Sequence, residues 1–314
     1  MELKSNIDIA ESELKKIEKL FLSVPPISSV VVNIIRLIER EKSSISLIVK
    51  ELAYDNAISA DVIRIVNSPF YGFPQRISSL EHAVVVMGAK MLMRVVIAAW
   101  AKNYQSAELK GYGYDRGNLA FQSILGAFAS KMLADSSSIK VVSDIVFTAA
   151  AIRNIGKVAV EPLVYQQRKS IISEIVKGLP FHIAEKKILG FNHTEVGYLL
   201  AKRWNFPEDL AYVIRYFREP SKCDISDQGI KKIVYCVHCG DIISMMVGVG
   251  GGVDNMLYAM DGTTFRVLGI KETDIENIYY NTISIQNDVR RELFEEVDIE
   301  EIKDRSGKGK LLTD

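Results

Sequence analysis

Cysteine is scarce in this 314-residue chain, with only Cys223, Cys236 and Cys239 present. So small and odd a count excludes a disulfide-stapled secreted scaffold and points to a reducing compartment. An excess of one charge is also missing: Lys plus Arg and Asp plus Glu both total 39. A balanced chain has no general field to draw it to nucleic acid or to an anionic membrane. No hydrophobic run is clean enough to span a bilayer. The most apolar stretch, 83–101, is interrupted by Lys90 and Arg94, each costly at a bilayer centre. The opening MELKSNIDIAESELKK has no apolar stretch behind a basic start, so no signal peptide is expected there. These absences together predict a cytoplasmic protein with neither a membrane nor a nucleic acid as partner.

Familiar catalytic signatures are missing as well. Gly156-Lys157 is followed by Val and has no Gly five residues before it, so it is not a phosphate-binding loop. Gly111-Tyr112-Gly113 lacks the preceding strand and third Gly of a dinucleotide fingerprint. No G-x-S-x-G elbow occurs. Cys236-Val237-His238-Cys239 has the look of half a zinc site, but the one other Cys is Cys223, and a structural zinc needs four ligands. The run also sits in an apolar helical pattern, where buried free cysteines are common. The glycines at 248 and 250–252 are expected to end a helix.

What is present is helical periodicity, in a composition 48% apolar and 25% charged that suits a globular domain. Helices are predicted over 3–22, from Ser28 to about 40, over 46–54 and 57–67, and from Ser78 or Ser79 to about 104. A second set is predicted at 115–134, 139–160, 168–177, 180–189, 193–204, 207–217 and 226–247, with smaller helices in 253–296. No alternating strand pattern of useful length occurs. The glycine-bearing stretch 105–117 suggests a boundary, giving an N-terminal helical subdomain at 1–110 and a second at 111–297. A charged tail follows at 298–314 and is expected to be flexible.

Several separated strings carry a resemblance. They are Val24-Pro25-Pro26, Val66-Asn67-Ser68-Pro69-Phe70-Tyr71-Gly72, Ile77-Ser78-Ser79-Leu80-Glu81-His82-Ala83 and Val86-Met87-Gly88. Further on come Leu189-Gly190-Phe191-Asn192-His193-Thr194-Glu195-Val196-Gly197 and Ala201 to Glu208. Together they resemble the HDOD family, the HD-related output domain of bacterial signalling proteins, over roughly residues 20 to 245. One departure is Asn56, where the family usually has Pro after Asp55. The resemblance implies an all-α fold of two packed helical subdomains, the second similar to the HD phosphohydrolases.

Those enzymes hold a metal through a His, a later His-Asp pair and a distant Asp. The corresponding positions here are Gln122, Arg153-Asn154 and Asp241. His193 matches a further metal-binding His of some relatives, but the adjacent His pair of those relatives falls at Tyr216-Phe217. Arg153 is a permanent cation with no lone pair to donate, and Gln122 and Asn154 offer weak carbonyl oxygens. His193 and Asp241 are too few for a catalytic centre, so neither metal, cofactor nor catalytic residue is expected.

The sharper expectation is that a fixed cation replaces the metal, with Arg153 or Lys157 pairing Asp241. The alternative is a solvated Asp241 and an outward Arg153. Three functions stay open. One is a non-enzymatic signalling or scaffold domain working through protein contacts, with Phe70, Tyr71 and Phe73 as candidate contact residues. Another is a sensor of a small anion or nucleotide in the vestigial pocket of Gln122, Arg153, Asn154, Lys157, His193 and Asp241. The third is a residual metal-dependent phosphohydrolase.

Overall fold

The computed structural model describes residues 9–39, 44–68, 71, 73–135, 143–248, 251–254 and 258–294. Helices dominate, and no strand forms among the described residues beyond one isolated bridge between Leu109 and Tyr114. The first group is α1 (Glu11–Ser23), α2 (Ser29–Glu39), α3 (Ile45–Leu52), α4 (Asn56–Val66), α5 (Leu80–Met87) and α6 (Ala89–Tyr104). Then come α7 (Asn118–Asp135), α8 (Ser143–Ile152), α9 (Ile155–Gln166), α10 (Arg168–Val176), α11 (Phe181–Leu189) and α12 (His193–Arg203). The last are α13 (Glu208–Tyr216), a short 3-10 turn at Pro220–Lys222, α14 (Gln228–Met246), α15 (Thr264–Leu268) and α16 (Glu272–Leu293).

The strings that carry the family resemblance are capping and clamping devices. Asp55 caps α4 by accepting from the Ile58 amide at 3.0 Å. Asn56 then occupies the first helical position, where Pro is favoured but not required. Asn67 clamps the following loop: its side chain donates to Ile77 O at 2.7 Å and accepts from Ile77 N at 2.8 Å. Ser79 caps α5. Asn192 and Glu195 form a capping box that opens α12 and sets His193 at its first position.

Two predicted helices are interrupted. The one expected from 78 to 104 breaks at Gly88, whose φ of +77° is a conformation that favours glycine. The one expected over 139–160 breaks at Arg153-Asn154, between α8 and α9.

α7 is central. It is buried on nearly every face and packs against α14, α8 and α16. Glycine allows the closest approaches: a Cβ on Gly240 of α14 would meet Ser130 N of α7 at 2.6 Å, and one on Gly156 would meet Gly197 N at 2.7 Å. α6 contacts α2, α4 and α5 and also α7 and α8, joining the first helices to the rest. Tyr71 and Phe73 are half-buried and stacked on each other, and Tyr71 meets Phe147 of α8 edge-on at 6.3 Å. These two rings therefore pack between helices, while Phe70 and the tail 298–314 lie outside the described residues.

Candidate functional site: a buried ion network in the HD pocket

Asp241 lies on α14 and is 1% exposed. A lone carboxylate so buried would be strongly destabilising. It is not alone. Arg153 Nε donates to Asp241 Oδ1 at 2.6 Å, and Arg218 donates to Oδ2. Burial pushes the Asp241 carboxyl up, but Arg218 and then Arg153 outweigh it and hold the group at about 2.

The break after α8 aims Arg153 inward. Its Nη1 caps the end of that helix at Ala150 O (2.6 Å) and reaches Ser123 O on α7 (2.8 Å), while Nη2 reaches Gln122 O (3.2 Å). A cation at a helix C-terminus also suits the helix dipole. Gly126 makes the space, since a Cβ there would stand 2.6 Å from Arg153 Nη2.

Lys157 does not pair with Asp241. Its Nζ is 2.5 Å from Asp254 Oδ2, with both side chains fully buried. Asp254 also accepts from the hydroxyls of Tyr114 at 2.9 Å and Tyr258 at 3.1 Å. Burial raises the Asp254 carboxyl, but Lys157 and Arg218 bring it below the usual range. The Arg218 guanidinium lies 3.5 Å from the centre of the Tyr258 ring, close enough for cation–π attraction.

His193 forms a separate arm. Glu185 Oε2 lies 2.6 Å from its Nδ1 and accepts from its backbone amide at 3.2 Å, while Tyr112 OH donates to Oε1. Burial, then Lys157, pushes the imidazole well below its ordinary value, so it is neutral. Burial lifts Glu185 to about 7 against the donors around it. His193 Nε2 is buried without a hydrogen-bond partner.

Gln122 sits 2.8 Å from Tyr114 OH. Asn154 donates to Ser123 Oγ at 3.1 Å, joining a chain through Gln105 to Ala151 O on α8. The six residues anticipated in this pocket thus divide into an Arg153–Asp241 cluster with Asn154 beside it, a Lys157–Asp254 cluster bordered by Gln122, and His193 on Glu185.

Sequence reasoning missed Arg218, Asp254, Glu185 and the three tyrosines. Arg218 directly follows Tyr216-Phe217, the place to which the resemblance assigns a metal-binding pair, and that was the available signal. Tyr112 and Tyr114 lie in the rejected Gly111-Gly113 motif. A Cβ on Gly252, in the glycine-rich stretch, would come within 2.5 Å of the Tyr114 ring, so this glycine lets the loop carrying Asp254 approach.

The Cys236–Cys239 run is structural. The three cysteines are free and buried, and His238 uses both ring nitrogens, on Phe217 O at 2.8 Å and Asp261 N at 2.9 Å.

The HDOD domain family model matches residues 24–220, and the chain belongs to this family. A solved HDOD domain protein of unknown function from Geobacter sulfurreducens is 22% identical, with a TM-score of 0.65, covering 90% of this chain and 99% of that one. A Shewanella amazonensis protein provisionally named a phosphohydrolase has the same TM-score at 20% identity, covering 90% and 98%. A Marinobacter aquaeolei protein provisionally named for signal transduction reaches 0.64 at 17% identity, covering 90% and 66%. At these identities the likeness is one of fold. A curated relative, an uncharacterized protein of Treponema pallidum (strain Nichols), is 25% identical over 201 residues. That match takes in 62% of this chain and 37% of the relative's length.

The divalent metal of HD phosphohydrolases does not fit these residues. Both Asp241 oxygens are engaged by guanidinium groups, and Arg153, Arg218 and Lys157 bring three cations into the space. Gln122 and Asn154 add weak neutral donors. Among the described residues, no group of three or more His, Cys, Asp or Glu is placed to hold a metal ion. No helix among them is long and apolar enough to cross a membrane.

Proposed function

We propose that this chain is a non-enzymatic signalling module that acts through protein contacts, and that its HD-type pocket is a vestigial site converted into a structural ion network. The observation that carries the reading is Asp241 clasped by Arg153 and Arg218. Guanidinium groups supply the charge that a metal would otherwise bring, but they lower no water pKa and offer no open coordination position for a phosphoester. Membership of an output-domain family and the likeness to a protein provisionally named for signal transduction support the contact half of the reading.

An anionic ligand in the same pocket is less well supported. Arg153 and Lys157 are fully buried and already matched by Asp241 and Asp254, so an added phosphate would have to displace a carboxylate from a dry site.

The test combines metal analysis of the purified protein with phosphodiesterase assays on cyclic dinucleotides, with and without added manganese, iron or zinc. The reading expects substoichiometric metal and no turnover above the buffer rate. Stoichiometric metal lost on His193→Ala, together with turnover, would overturn it.

A further inference from the structure

A second concave feature lies outside the ion network. Where α4, α6, the start of α7 and the end of α16 meet, a cleft of about 420 Å³ is lined by Arg64, Lys102, Arg116 and Arg290. Among the described residues lining it there is no carboxylate. Asp61 lies behind, 2.7 Å from Lys102 Nζ, 3.0 Å from Asn103 Nδ2 and 3.4 Å from Arg64 Nη1. That one acid fixes Lys102, which is 7% exposed, and offsets one of the four cations.

Arg116 and Arg290 are exposed and have no ion-pair partner among the described residues. Arg290 is steadied by an aromatic floor instead. Its guanidinium lies 4.1 Å from the centre of the Phe121 ring, and Phe121 meets Phe294 edge-on at 5.3 Å. A guanidinium held over a ring face keeps its N–H fork available for bidentate binding of an oxyanion.

α7, eighteen residues long, begins at this cleft with no acid in its first turn, and its dipole adds positive potential there. The chain as a whole carries no net charge, so the four cations are a local concentration. Gathering like charges in one hollow costs stability, and such a field favours an anion.

We propose that this cleft binds a small polyphosphorylated anion, the di- or triphosphate group of a nucleotide or a free polyphosphate, through Arg64, Lys102, Arg116 and Arg290. The site is separate from the Asp241 network. Phe121 lines the cleft, whereas the next residue, Gln122, faces Tyr114, about 100° further round the helix.

Isothermal titration calorimetry on the full chain tests this with tripolyphosphate, a magnesium-free nucleoside triphosphate and sulfate at one fixed ionic strength. The sequence runs past Phe294 into Glu295, Glu296 and Asp298, so the sample must contain these acids. The proposal expects one saturable site for tripolyphosphate and for the nucleotide, with sulfate roughly tenfold weaker or worse. Tighter binding of the nucleotide identifies a nucleotide as the ligand, and equal binding identifies the phosphate chain; both support the site.

The double variant Arg116→Gln/Arg290→Gln alters two exposed side chains and should keep its melting temperature while losing about tenfold or more in affinity. If it fails to fold, Arg116→Gln alone provides the comparison. Absence of saturable heat, an affinity unchanged in the variant, or sulfate binding as tightly as tripolyphosphate would each overturn the proposal. So would binding of a single-stranded oligonucleotide through these arginines without binding of tripolyphosphate.

Discussion

Replacing Arg153 with Ala removes the Nε bond to Asp241, two bonds from Nη1 to Ser123 O and Ala150 O, and two from Nη2 to Gln122 O and Ser244 Oγ. Asp241 stays buried with Arg218 as its remaining guanidinium partner. Removing one member of a buried ion pair costs about 3–5 kcal/mol, mostly through the charge left behind. For a chain of this size that corresponds to a fall in melting temperature of roughly 5–8 °C. Arg153→Lys keeps the charge but not the fork, so it should lose about half as much. Arg153→Ala and Asp241→Asn remove the same buried contact, so the double variant should fall short of additivity by ~2 kcal/mol. Because the pair is fully buried, the effect should persist between low and high salt. Differential scanning calorimetry reads all of this. An Arg153→Ala melting temperature within about 1 °C of the parent, against the roughly 5–8 °C expected, would refute the reasoning.

Glu185, raised to about 7 by burial, binds a proton in the folded chain at pH values where the unfolded chain has released it. The Glu185 contribution to stability should therefore fall by on the order of 2–3 kcal/mol as pH rises from about 4.5 to 7, opposing the gain from the neutral His193 over the same range, and Glu185→Gln should make the urea-measured stability rise more steeply with pH. Gly126→Ala places a methyl against the Arg153 guanidinium and should destabilise by ~1–3 kcal/mol through overpacking; a neutral result by chemical denaturation would contradict the packing described. Cys236, pushed up to about 12 by burial, and the equally buried Cys239 should resist thiol reagents at pH 8 until the protein unfolds, and fast native-state labelling of either would contradict their placement.

The helical class was legible because apolar spacing and caps such as Ser79 and Asn192 are local signals. The two helix breaks were not. Around Gly88 the apolar pattern continues through the turn, and the residues at 146–157 on both sides of Arg153-Asn154 are all buried, so periodicity marks no boundary there. Within the pocket, sequence could nominate Arg153 or Lys157 for Asp241 through the chemistry of what replaces a metal ligand. It could not find Arg218 and Asp254, which lie 65 and 101 residues from Arg153 in the sequence. Their contacts depend on how α13, α14 and the loop after α14 close over α7. Charge balance at the buried centre is a tertiary property, and it decided that Lys157 answers Asp254.

The central proposal is that guanidinium groups hold Asp241 ionised at the position to which the family resemblance assigns a metal ligand. Its most direct test is the carbon-13 NMR titration of the Asp241 side-chain carboxyl in the folded protein. The account predicts a titration near pH 2, well below an ordinary aspartate, moving upward in a folded Arg153→Lys variant. A carboxyl that titrates at 4 or above, unmoved by that substitution, would contradict it.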